Sequence, residues 1–263
     1  MIDVDKLADE LWQAQHSLVP IPQPSAGKYA QLDIDEAYAV QTRNIQRRLD
    51  AGEVIVGRKI GLTSLAMQEQ LGVDQPDFGV ITDRMVTPND GEIDVSKLIA
   101  PRVEPEFAFR IGTELSAAPT IAEVREAVEA VALSAEIIDS RVADWTISFV
   151  DTVSDNASSA GIVVGPWRPA TPEGLTALIG TDIALVQDGE TVCEGPGSAV
   201  LGDPFVALHW LATAIGRYGH VLTPGDTVLA GAVAAAVPLS GGADWHVVAE
   251  GFEPVTFTSS ANC

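Results

Sequence analysis

Between Pro101 and Ile111 the chain reads PRVEPEFAFRI, and its two glutamates are spaced in a way that invites chemistry. Read as a strand, Val103, Pro105, Phe107, Phe109 and Ile111 share one face, and Glu104, Glu106, Ala108 and Arg110 the other. The first face is apolar and belongs to a core. The second sets two carboxylates one pleat apart, roughly 7 Å between side-chain origins. A third acid, Glu136, sits in similarly apolar surroundings, VALSAEIIDSR. Carboxylates brought from two strands to one point suit a hard divalent cation that takes oxygen ligands. Spacing alone leaves a second reading open, in which Glu104 and Glu106 line the solvated face of an edge strand. Pro105 favours such an edge.

Two further groups could serve the same site. Arg58 and Lys59 interrupt the apolar run EVIVGRKIGLTS, either snorkelling at an edge or aimed into a cavity. The segment VDQPDFGVITD reads as an acidic loop carrying Asp74, Asp77 and Asp83, with Pro76 and Gly79 as turn formers. Beyond Glu136, DSRVADWTISFVDTVSDNASSAG is a long polar and aromatic connection. Its Asp151, Asp155, Asn156, Ser158 and Ser159 are able to bond a ligand or to cap their own backbone. The small-residue run from Gly231 to Ala236 either lets backbone approach a ligand or packs tightly.

The elements that must position these residues follow from periodicity and punctuation. A helix is expected from Asp3 to about Ser17, with Leu7, Leu11 and Trp12 on one stripe. A second opens at the capping box Asp33–Glu36, carries Ile34, Ala37, Tyr38, Gln41, Ile45 and Leu49 inward, and stops at Gly52. Residues 1–52 thus form an N-terminal helical segment, and 53–263 the remainder of the fold. A short helix is expected over Ser64–Leu71. Thr120 and Glu123 form another capping box, opening a helix with Ile121, Val124, Val128 and Val131 on its core side. Asp188-Gly189 joins two alternating runs as a type I′ hairpin. Asp203-Pro204 starts a helix ended by Gly219. DTVLAGAVAAAVPL, DWHVVAEG and PVTFTSS read as strands. Short strands with intermittent helices, without regular alternation, place the chain in the α+β class.

Composition narrows the partners. The 263 residues, 46% of them apolar, suit one large domain or one with an appendage. With 37 acids against 15 bases the net charge is −22, which repels nucleic acid and anionic membranes. An anionic substrate therefore needs a locally positive pocket. Two cysteines, Cys193 and Cys263, imply no disulfide framework, and the acidic amphipathic start MIDVDKLADELW is unlike a signal peptide. A soluble, cytoplasmic protein is expected. Dinucleotide, P-loop and nucleophile-elbow patterns are absent, and the four histidines lack zinc-like spacing.

The blocks GRKIGLTS, LGVDQPDFG, PRVEPE, EIIDSRVADW, DTVSDNASS and GDTVLAGA occur in this order, and the chain from about 30 to 260 resembles the 2-keto-4-pentenoate hydratases. These are members of the fumarylacetoacetate hydrolase superfamily. The resemblance implies a mixed β-roll, a Mg²⁺ or Mn²⁺ site, a homo-oligomer, and a role in meta-cleavage catabolism of aromatic or steroid rings. It puts the metal ligands on Glu104, Glu106 and Glu136, the family's active-site lysine on Lys59 and its acidic loop position on Asp77, which is the candidate acid/base. Substrate contacts fall on Asn156, Ser158 and Gly231. Ser154 stands where many relatives have alanine. The implied substrate is a small anionic 2-hydroxy-dienoic or 2-oxo acid. The alternatives are 4-oxalocrotonate decarboxylase, which shares these acids, and a catalytically silent structural partner of such an enzyme. An acylpyruvate-type hydrolase would want an additional histidine–acid dyad near the start of the fold, and no histidine lies between His16 and His209.

Overall fold

The computed structural model describes residues 2–64, 68–69 and 72–260. The helices are α1 (Val4–Ser17), α2 (Ile34–Asp50), α3 (Ile121–Ala127), α4 (Phe149–Ser154), α5 (Pro172–Ala177) and α6 (Pro204–Gly216). The first strands are β1 (Ile55–Gly61), β2 (Asp77–Thr82), β3 (Val86–Thr87), β4 (Gly91–Ile93), β5 (Arg102–Ile111), β6 (Val128–Ile138) and β7 (Ser159–Val164). The later ones are β8 (Arg168–Pro169), β9 (Asp182–Gln187), β10 (Glu190–Pro196), β11 (Thr227–Leu229), β12 (Val237–Pro238), β13 (Asp244–Ala249) and β14 (Val255–Ser259).

Among the described residues the strands form two sheets. One runs β2-β1-β11-β5-β6-β7-β3, with β12 beside β5 and β8 beside β6; the other runs β10-β9-β13-β14-β4. The larger, mixed sheet curls, and its two faces do different work. Outward, Phe107 and Phe109 of β5 join the main core, where Phe109 meets Phe205 of α6 at 4.8 Å between rings. Inward, Ala108, Ala132, Leu229, Ile81, Ile162 and Met85 make a small separate apolar layer. The same inward face carries every charged group of the candidate site.

The capping box at Asp33 and the Asp188-Gly189 turn form as expected, the latter with φ of 50° and 86°. The helices α1 and α2 bury Leu7, Leu11, Ala37 and Val40 in the main core rather than lying on its surface. Three expectations change, and a fourth lies largely outside the described residues. The segment expected as an acidic loop contains β2, buried along its whole length and paired with β1; pairing and a buried partner for Asp77 outweigh its turn formers. The helix opened by Thr120 ends at Ala127, and Val128 and Val131 lie in β6, where β-branched residues pack against β5. Of DTVLAGAVAAAVPL only β11 and β12 are strand. The expected helix over Ser64–Leu71 falls largely outside the described residues.

The edge-strand reading of Glu104 and Glu106 is also overturned, since β5 is flanked by β6 on one side and by β11 and β12 on the other. Pro105 is tolerated there for a local reason. Its carbonyl accepts from Val233 N–H at 3.2 Å, so its ring nitrogen faces the irregular stretch between β11 and β12. No ladder hydrogen bond is lost where no strand continues.

Candidate metal centre

The antiparallel register of β5 and β6 sets Glu104 directly opposite Glu136 and Glu106 opposite Ser134. Directly opposed residues have Cβ atoms only about 5 Å apart, and like charges there repel. A folded chain keeps such a pair only if something neutralises it. Ligand oxygens of Glu104, Glu106 and Glu136 all lie within 4.8 Å of one another. Glu136 is 0% and Glu106 1% exposed, while Glu104 is half-buried.

Their hydrogen bonding is incomplete in an informative way. Gly231 N–H donates to Glu106 Oε2 at 2.8 Å, but Glu106 Oε1 and both oxygens of Glu136 are buried without a hydrogen bond. Buried carboxylate oxygens ordinarily find donors. Orphaned acceptors that converge on one point are what a hard cation requires, so the donor set fits a divalent ion.

Lys59 reaches the cluster from β1, with Nζ 3.3 Å from Glu136 Oε1, an ion pair rather than a hydrogen bond. Burial disfavours its charge, but Glu136, Asp77, Glu104 and Glu106 together outweigh burial and raise its pKa. Lys59 is therefore a cation. Its neighbour Arg58 points to the other face and donates to Gly57 O at 3.0 Å. Asp77 stands opposite Gly61 in the β1–β2 ladder. A Cβ on Gly61 would lie 2.2 Å from Asp77 Oδ1 and 3.4 Å from Lys59 Nζ, so glycine is what lets the two charges share this space.

The carboxyls all titrate high. Burial raises Glu106 well above the usual range, and Glu136 and Glu104 push the same way. Burial lifts Glu136 to about 7 against the pull of Lys59. Burial also raises Glu104 and Asp77, with Lys59 again opposing. Carboxyls raised in this way favour their protonated forms unless a cation takes the protons' place.

The DNASS turn packs on β2. Asn156 spends its amide on protein, accepting from Val80 N–H at 2.8 Å and donating to Val80 O at 2.9 Å. Gly231 likewise spends its N–H on Glu106. Of the expected substrate contacts, these two are engaged in positioning, whereas Ser158 Oγ is buried without a partner. Asn156, Ala157 and Ser158 all adopt left-handed φ, of 55°, 51° and 55°, a costly run for non-glycine residues. It is held by Asp155, which pairs with buried Arg141.

Three contributors were not singled out in the sequence. Arg141 lies inside a quoted block yet shows no helical or strand signal of its own. Gln41 donates to Phe78 O at 2.9 Å and Val153 O at 3.2 Å, binding α2 to β2 and α4. Its one signal was a polar residue within an apolar helix stripe. Ser134 donates to Glu106 O at 3.3 Å, a bond visible only from the register.

Over 240 residues, 90% of this chain and 88% of the relative, the sequence is 44% identical to 2-keto-4-pentenoate hydratase of Paraburkholderia xenovorans (strain LB400). The chain belongs to the 2-keto-4-pentenoate hydratase family. TodF product hydratase of Pseudomonas putida is 41% identical over 256 residues, covering 96% of this chain and 94% of that one. Among solved structures, 4-oxalocrotonate decarboxylase from Pseudomonas putida G7, complexed with magnesium and adipate, matches with a TM-score of 0.90. Its identity is 32%, with 97% of each chain covered. Fumarylpyruvate hydrolase from Pseudomonas aeruginosa, complexed with Mn²⁺ and pyruvate, shares the fold at TM-score 0.62 and 17% identity, over 78% of this chain and 89% of that one. No family model matches the chain. Its hydratase-family fold is thus of the fumarylacetoacetate hydrolase type.

Proposed function

We propose that this hydro-lyase adds water to 2-hydroxypenta-2,4-dienoate, or a close homologue, to give a 4-hydroxy-2-oxo acid. The observation that supports it most is the convergence of three carboxylates, from two paired strands, with buried oxygens left unbonded. Glu104, Glu106 and Glu136 would hold a divalent ion, Mg²⁺ or Mn²⁺. When bound, such an ion acts as a Lewis acid on carboxylate and 2-oxygen and makes the distal alkene electrophilic.

The chain's own residues supply the proton movements. The dienol must lose the proton on its 2-oxygen and gain one at C5, which leaves a ketone conjugated with a C3–C4 double bond. Water then adds, its oxygen to C4 and a proton to C3. Asp77, whose carboxyl is raised above its ordinary range by burial, is the acid/base for these transfers. Lys59, fixed as a cation beside Glu136 and Asp77, holds the anionic substrate and stabilises negative charge developing on its 2-oxygen. Ser158 Oγ is the remaining candidate donor to a substrate oxygen. Gly231 and Asn156 act one step back, by fixing Glu106 and β2. Family membership supports a homo-oligomer working in the cytoplasm on products of aromatic or steroid ring cleavage.

The decarboxylase reading is kept because its solved representative superposes so fully. The two are separated by offering the dienol acid and the unsaturated dicarboxylate in turn, with Mg²⁺ or chelator, and following loss of absorbance. The hydratase consumes the first, and only with metal. Glu106→Gln and Lys59→Met should each lower this turnover by at least about a hundredfold in folded protein. Consumption of the dicarboxylate alone, or variants within a few-fold of wild type, contradicts the assignment.

A further inference from the structure

The site has an electrostatic deficit that Lys59 does not cover. Four acids, Asp77, Glu104, Glu106 and Glu136, face one lysine. With Asp77 carrying its proton, a divalent ion and Lys59 only balance the three glutamates, so a substrate carboxylate arriving at a protein of net charge −22 meets no surplus positive charge. A further cation is needed where the substrate enters.

Arg102 occupies that position. It lies two residues before Glu104 on β5, hence on the same inward face, and its charge acts on the Glu104 carboxylate. Exposure along this face falls from Arg102 and Glu104, both half-buried, to Glu106 and then the closed layer of Ala108, Ala132 and Leu229. Solvent therefore meets the cluster from the Arg102 end. Arg110 shares the face but stands beyond that apolar layer, stacked on Trp167 at 4.2 Å.

The guanidinium is placed yet uncommitted. It stacks on the Trp145 ring at 4.6 Å, and among the described residues no carboxylate or carbonyl bonds it. The backbone entering β5 is clamped, with Ile99 and Ala100 N–H donating to Asp139 at 2.8 and 2.7 Å and Trp145 Nε1 donating to Ala100 O at 3.0 Å. An arginine held over an aromatic ring, with its donors unbonded by other described residues, is suited to take a carboxylate through two hydrogen bonds.

We infer that Arg102, backed by Trp145, is a substrate-binding residue that engages the carboxylate of the incoming 2-oxo or 2-hydroxy acid beside the Glu104–Glu106–Glu136 cluster. The identity of that acid rests on the hydratase reading; the role of Arg102 does not. Two measurements on the full-length protein with Mg²⁺ test it. In turnover of the dienol acid, Arg102→Gln should raise KM about tenfold with kcat within about twofold, and flatten the fall of kcat/KM with salt. In calorimetry with pyruvate as a chelating 2-oxo monoacid, the same variant should bind about tenfold more weakly, while methyl pyruvate binds both proteins alike. Arg102→Met, which keeps the stem on the Trp145 ring, gives the same result if the glutamine variant is unstable, and Arg102→Lys restores part of the loss. If wild type ignores the dienol acid yet loses pyruvate affinity on mutation, the hydratase reading fails and the Arg102 inference stands. No pyruvate binding by wild type, equal binding by wild type and both charge-removing variants, or a fall in kcat with KM unchanged overturns it.

Discussion

At the scale of single residues, burial shifts the site's carboxyls toward their protonated forms. Glu136 has a folded value of about 7 against an ordinary 4.5. A raised value means the folded protein binds this proton more tightly than the unfolded chain does. The associated stability is present in full below the ordinary value and is lost as pH rises through about 7. A divalent ion reverses that loss by taking the proton's place. The increase in Tm on adding saturating Mg²⁺ should therefore be larger at about pH 8 than at about pH 5.5, and the Mg²⁺-free protein should melt lower at the higher pH. A Mg²⁺ effect that is flat or shrinks with pH, measured by calorimetric melting, would place the ion elsewhere.

At the scale of elements, the site depends on how closely β2 can approach its neighbours. A Cβ at Gly79 would sit 2.5 Å from the Asn156 carbonyl and 3.1 Å from the Lys59 stem. Gly79→Ala must push the DNASS turn or Lys59 aside, so a loss of about 1–3 kcal/mol in stability and a marked fall in turnover are expected by denaturant melts and assay. Unchanged stability and activity would mean that turn is not seated on the site. Here the sequence was only partly legible. The alternation in β5 gave both faces correctly because a period of two needs no tertiary knowledge. Asp77 is legible as an acid but not as part of a strand, since Pro76 and Gly79 carry turn signals and only pairing with β1 makes Asp77–Thr82 a strand. Lys59 was legible as an anomaly and Arg141 was not. The partners of Gln41, Asn156 and Gly231 are backbone groups far away in the chain, which no local pattern encodes.

For the molecule as a whole, the curled sheet turns two stretches of ordinary strand into one acidic centre, with apolar packing closing one end and Arg102 standing at the other. The N-terminal helices share the main core and, through Gln41, brace the strand that carries Asp77. Fold and chemistry are thereby joined: the same β5–β6 register that builds the sheet sets Glu104 against Glu136. Manganese-loaded crystals measured at the manganese absorption edge test this most directly. We expect one anomalous peak, within bonding reach of Glu104, Glu106 and Glu136 together, and its disappearance in Glu106→Gln. A loaded crystal with no peak there, or with the ion bound by other residues, would contradict the account.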